Sequence, residues 1–276
     1  VIGLHQRVRS RVILGEGFGG VLGTWQVEMI QARALLPESA RAFTATGAPL
    51  PSGAVRLVGA ACQRLGRALR ARDQLLLSSV QRVRSFGVDD PDDAVERVAI
   101  ALQGMFDALA RSLNESLGGL LPVGSVGFHQ KTFLKSIPES SRQVASDPRF
   151  RALRDVIAEL RNTVHHEPVG RAASEVRGMV EELVTLPRTS AERFLRNADE
   201  LGHRERWVAF DVEQTGLALR PIALCDDIIT EAATSANLLL ASFPWSESAD
   251  DSGETDDSNW LENAEYLAMN QLLYGL

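Results

Sequence analysis

Cysteine and lysine are the scarce residues of this chain. Its 276 residues hold two cysteines, Cys62 and Cys225, which excludes a disulfide framework and a cysteine metal cluster. Of 29 basic residues only Lys131 and Lys135 are lysines. Arginine is therefore the default base here, and an arginine-rich stretch alone says little about nucleic acid. No apolar run approaches the ~18 residues of a membrane helix. Val1 to Gly20 carries basic residues but no continuous apolar core or cleavage-like pattern, so no secretory signal is read there. The expectation is a cytoplasmic protein without a membrane segment. Neither H-E-x-x-H nor G-x-S-x-G occurs, nor any other metal spacing, so no metal and no cofactor is expected.

What is present is ordinary for a globular protein: 45% apolar and 24% charged residues, with length enough for one large domain or two small ones. The net charge of −7 is concentrated in residues 246–257, where Glu247, Asp250, Asp251, Glu254, Asp256 and Asp257 stand without a base. Without those six acids the remainder stands near −1, so overall acidity does not exclude a local phosphate-binding surface.

The apolar periodicity is mostly that of helices. One helix is expected over Leu14 to Leu36, before a proline-rich loop. A long one follows over Ala54 to Phe86, with Arg64, Arg67, Arg70, Arg72, Arg82 and Arg84 on it. Asp89-Asp90-Pro91 opens another, which Gly118-Gly119 should stop near Leu117. The Gly-, Pro- and Ser-punctuated stretch 118–147 reads as a lid or an excursion between helices; His129, Lys131 and Lys135 cluster there, able to help bind phosphate but more readily read as solvated charges. Asp147-Pro148 opens a further helix. Helices are then expected over Arg171 to Leu186, ended by Pro187, and from a Ser190 cap to Gly202. Trp207 to Val212 has strand character and Thr215-Gly216 looks like a turn, which allows one small β-hairpin near 207–219. Pro221 to Phe243 returns to helix. The expected organisation is an all-α multi-helix bundle. Residues 1–53 form an N-terminal helix and Pro-rich loop packed on it, 54–245 the helical domain, 246–257 an acidic flexible linker and 258–276 a C-terminal amphipathic helix.

In the helix that Asp147-Pro148 opens, Phe150, Leu153, Ile157, Leu160 and Val164 repeat at spacings of three and four, one apolar stripe. At ~100° per residue Asn162 and His166 fall roughly opposite its centre, with Asp155 and Glu159 on their face and Arg161 at its edge. Pro168 should end the helix at Glu167. The polar end of this helix reads Arg161-Asn162-Thr163-Val164-His165-His166, an R-N-x-x-x-H arrangement.

That motif and its helical setting resemble the signature of the HEPN superfamily, helical-bundle proteins that include many metal-independent ribonucleases. The resemblance implies a homodimer in which two motifs line one cleft, an RNA substrate, and catalytic roles for Arg161 and His166 with Asn162 in support. It implies a toxin or anti-phage effector as the biological setting. The residue types suit that chemistry. A 2′-hydroxyl can attack its neighbouring phosphate if one group removes its proton and another protonates the leaving oxygen. Histidine does either near neutrality, and arginine steadies phosphate charge with a planar fork of donors. His165, four residues after Arg161, is the alternative histidine, and Glu159 a supporting carboxylate; Asp155 and Glu159 together would repel phosphate. The alternative function is a non-catalytic HEPN-like module binding a partner protein or RNA, and the C-terminal helix is a candidate dock for a protein partner or inhibitor. A second match, Arg196-Asn197 followed by His203, has a wider gap. Pro168 occupies the place where some HEPN proteins carry a modified tyrosine. Gly15, Gly17 and Gly20 imitate a kinase loop, but no lysine follows before Lys131 and no H-R-D or D-F-G triplet occurs.

Overall fold

The computed structural model describes residues 52–80, 91–166, 170–176, 179–212 and 216–244. The expected helix at 14–36, the loop after it, the acidic linker and the C-terminal helix lie outside the described residues. Those described are largely helical, with one antiparallel sheet. In chain order they form α1 (Ser52–Val80), α2 (Pro91–Ser116), a 3-10 turn (Val123–Ser125), α3 (Lys131–Ser136), α4 (Glu139–Ser146), α5 (Pro148–His166), β1 (Gly170–Val176), β2 (Met179–Pro187), α6 (Arg188–Leu201), α7 (Arg204–Trp207), β3 (Val208–Val212), β4 (Gly216–Leu219) and α8 (Pro221–Ala241). None of the described helices is long and apolar enough to cross a membrane.

The described residues divide into two compact units, one within 1–66, 105–145 and 233–276, the other within 67–104 and 146–232. In the first, Val58, Leu65, Met105, Leu109, Leu113, Phe133, Leu239 and Leu240 are buried apolar side chains. Here α2 ends as its glycines require. Gly118 and Gly119 both take positive φ, and the Gly119 N–H reaches back to the Asn114 carbonyl at 2.8 Å, closing the last turn. The stretch 118–147 is an anchored excursion rather than a free lid. The Asn114 side chain both donates to the Leu121 carbonyl at 3.0 Å and accepts from its N–H at 3.1 Å. Phe128 meets Phe133 edge-on at 5.7 Å, and the Ser141 hydroxyl donates to the Ser242 carbonyl at 3.0 Å.

The second unit holds the sheet, in the order β1-β2-β4-β3. The hairpin read near 207–219 is present as β3 and β4, paired from Val208↔Leu219 to Val212↔Gly216 with a bulge between Val208 and Phe210. The helix expected over Arg171 to Leu186 is not. Those residues form the β1–β2 hairpin, running from Gly170↔Thr185 to Val176↔Met179, and Val184 to Pro187 of β2 pair with β4. Sheet content therefore exceeds the single hairpin of the all-α expectation. Strand pairing, within the hairpin and from β2 to β4, overrides helical propensity here. Pro187 ends a strand instead of a helix, and it N-caps α6 with φ −58°; Ser190, expected as the cap, is a buried residue inside α6. Gly202 closes α6 in the left-handed region at φ 75°, as its sequence position predicts.

Candidate functional site

Helix α5 positions the motif, and its start is built as the sequence implies. The Asp147 carboxylate accepts the N–H groups of Arg149 at 2.9 Å and Phe150 at 3.2 Å, satisfying two of the donors a helix start leaves open. Phe150, Leu153, Ile157 and Leu160 are buried, so the predicted stripe holds the helix in place. Ala152 and Val156 are buried too. The packed arc is thus wider than one stripe, and α5 lies along α6.

The wider arc changes the reading of Glu159. It is not on an exposed polar face but buried, at 8% exposure, and its carboxylate takes Arg193 Nη1 of α6 at 3.0 Å. Arg193 offsets the Glu159 charge locally, so Glu159 repels phosphate less than an unpaired acid would. Asp155 remains exposed. Arg193 was not legible as a site residue: its partner lies 34 positions away, and no local pattern links them.

Arg161 is half-buried and Asn162 exposed. Arg161 Nη2 donates to Asn162 Oδ1 at 3.3 Å, so the adjacent pair forms one polar unit in the last turns of α5. Arg161 Nε is buried and meets no hydrogen-bond partner among the described residues. His165 and His166 are the last two residues of α5; their side chains lie outside the described residues. By helical period, position 166 follows Glu159 seven residues on, about 20° from it around the helix.

The second R-N…H match is divided between two settings. Arg196 lines a shallow open groove on α6 with Glu192, Leu195, Asp199, Glu200 and Arg204. His203 is committed elsewhere. Its ring stacks on the buried Trp207 at 5.1 Å and 24°. Its Nε2 lies 3.1 Å from Glu231 and its Nδ1 3.6 Å from Asp227. Asp227 also accepts Trp207 Nε1 at 3.0 Å and pairs with Arg206 at 2.9 Å, while Glu231 pairs with Arg149 at 2.7 Å. Each carboxylate thus meets an arginine as well as the imidazole, which suits a structural network tying the α6–α7 corner to α8. Among the described residues no group of three or more His, Cys, Asp or Glu could hold a metal ion.

Comparison with family models, with curated proteins and with solved structures finds no match to this chain.

Proposed function

We propose that this protein is a metal-independent endoribonuclease of HEPN type, with the end of α5 as its active site. The observation that carries the reading is the Arg161–Asn162 unit. An arginine whose Nε has no hydrogen-bond partner among the described residues donates through Nη2 to its neighbour's amide at 3.3 Å, on the helix that terminates at His166. The rest of the half-buried guanidinium is a planar fork of donors suited to phosphate oxygens. The Glu159–Arg193 pair supports the same reading by removing one acid from the phosphate's surroundings.

In this mechanism the 2′-oxygen of RNA attacks the adjacent phosphorus as the bond from phosphorus to the 5′-oxygen breaks. His166 takes the 2′-hydroxyl proton or supplies one to the departing 5′-oxygen; Arg161 holds the charge that develops on the non-bridging oxygens. The products are a 2′,3′-cyclic phosphate and a free 5′-hydroxyl, and DNA, without the 2′-hydroxyl, is not cut. Two copies of the chain form the working unit, and a conflict role, as toxin or anti-phage effector, is the biological setting the resemblance suggests. The test is incubation of mixed RNAs with the purified protein in EDTA. Wild type cleaves and leaves cyclic-phosphate ends, while Arg161→Ala and His166→Ala each lose at least about a hundredfold in rate, the usual scale for such groups. Activity kept in both variants would refute the site, and loss of activity in EDTA would refute the metal-independent mechanism. If every form is inert yet wild type retains RNA in a binding assay, the non-catalytic module is the better reading.

A further inference from the structure

We infer that Arg193 of α6 is a second backbone-phosphate contact of the α5 site, holding the RNA phosphate next to the one that Arg161 engages. The inference rests on the reading of that site as one for RNA, and it adds a residue that lies outside the motif. The fold brings Arg193 there. The end of α6 lies at the start of α5, where Arg149 Nη2 donates to the Leu201 carbonyl at 3.2 Å. Earlier on α6 and further along α5, Arg193 Nη1 meets the Glu159 carboxylate at 3.0 Å, so α6 runs back along α5 toward the motif. Asn162 follows Glu159 by three residues, about 4.5 Å along the helix and 60° around it. The Arg193 guanidinium is therefore held about one turn from the Arg161–Asn162 unit.

The pair is lopsided. The Glu159 side chain is 11% exposed and the Arg193 side chain 63%. A guanidinium carries five N–H donors in a planar fork, and the contact with Glu159 engages one nitrogen of it. The buried acid thus fixes the fork in place while most of it stays accessible. A side chain ordered in advance leaves less ordering for a ligand to supply. The surroundings are also favourable to an anion. Residues three and four away on a helix are surface neighbours, and around Arg193 these are Thr189, Ser190, Arg196 and Asn197, none of them acidic. Glu192, the adjacent acid, lies about 100° round the helix. On α5 the neighbouring acid of Glu159 is Asp155, one turn away on the side opposite the motif.

Two cations about one turn apart on neighbouring helices suit successive phosphates of one strand, since a nucleic-acid backbone carries a charge at each. A pair that served only to join α5 to α6 would be damaged alike by removal of either partner. A phosphate contact is asymmetric: loss of the Arg193 charge removes it, whereas loss of the Glu159 charge releases the arginine to it.

The test measures binding of the full chain to a 2′-O-methyl oligoribonucleotide, which 2′ attack cannot cut, across a salt series. Arg193→Gln should weaken binding about tenfold and lower the slope of log Kd against log salt by ~0.7, the contribution of one single-strand phosphate. Glu159→Gln should bind at least as tightly as wild type. Arg204→Gln, which removes the same charge from the pair with Asp199, should bind as wild type does. Equal weakening by Arg193→Gln and Glu159→Gln would overturn the proposal, as would a wild-type slope in Arg193→Gln or a wild type that binds no RNA. If Arg193→Gln does not fold, the double variant E159Q/R193Q, which leaves no unpaired buried acid, carries the same expectation. Cleavage separates this contact from the ribonuclease reading. On an oligoribonucleotide Arg193→Gln should raise KM about tenfold with kcat unchanged; on a dinucleoside monophosphate, which has no neighbouring phosphate, it should cut like wild type. A wild type that binds with the expected dependence on Arg193 and cuts nothing ends the ribonuclease reading and supports the contact. A wild type that cuts, beside an Arg193→Gln variant with unchanged KM, ends the contact and leaves the ribonuclease.

Discussion

At the scale of single residues, the buried charges separate structural arginines from candidate functional ones. Arg72 is 2% exposed, with Asp73 at 3.0 Å and Asp226 of α8 at 3.1 Å. Its charge is matched inside the protein, and breaking such a pair leaves carboxylates in poor solvent. Arg72→Ala should cost about 3–5 kcal/mol, read as a lower urea midpoint with an unchanged slope; a loss under about 1 kcal/mol would mean that water reaches Asp226. Arg161 differs, because among the described residues it meets no carboxylate, and its Nη2 donates to the neighbouring amide of Asn162. The sequence placed both residues on helices and could not tell them apart, because what distinguishes them is a partner far along the chain. Glu159 makes the same point. Helical period put it on the polar face with Asn162 and His166, and the structure buries it with its carboxylate on Arg193 of α6.

At the scale of elements, legibility followed how much of the signal was local. The start of α5 was readable because Asp147 caps residues two and three positions on, and the ends of α2 and α6 because Gly118 and Gly202 supply the left-handed turn. The β1–β2 hairpin was not. Ala172, Ala173, Glu175, Glu181, Glu182 and Leu183 all favour helix locally, while the pairing partners that make them strands are set by register across 170–187 and by β4. The β3–β4 hairpin was legible through its aromatic and β-branched run and the glycine at its turn. Gly216 at φ 125° does more than turn the chain: an added Cβ there would overlap the Leu186 carbonyl oxygen. Gly216→Ala should therefore strain the backbone and push β2 from β4 together, costing about 2 kcal/mol or more. Thermal unfolding would check this, and a variant as stable as wild type would show that β2 can shift without loss.

At the scale of the whole molecule, the boundaries between the two compact units fall inside helices. Helices α1, α2 and α8 each supply residues to both, with the divisions falling at Gly66, Gly104 and Ala232. Unfolding either unit removes part of three helices that also supply residues to the other. Helix formation is itself cooperative along the chain, so the two units should unfold as one despite having separate cores. Cys225 is a ready reporter for the second unit. It is fully buried, and burial first, then the negative charge of Asp226, pushes its thiol well above the usual cysteine range. A thiol held in that state is inert to alkylation until the structure opens. In a Cys62→Ser background, the urea concentration at which Cys225 becomes reactive should match the midpoint of helix loss by circular dichroism, which reports both units. Labelling that precedes helix loss would mean that the sheet-bearing unit opens alone, and that the three shared helices do not couple it to the first.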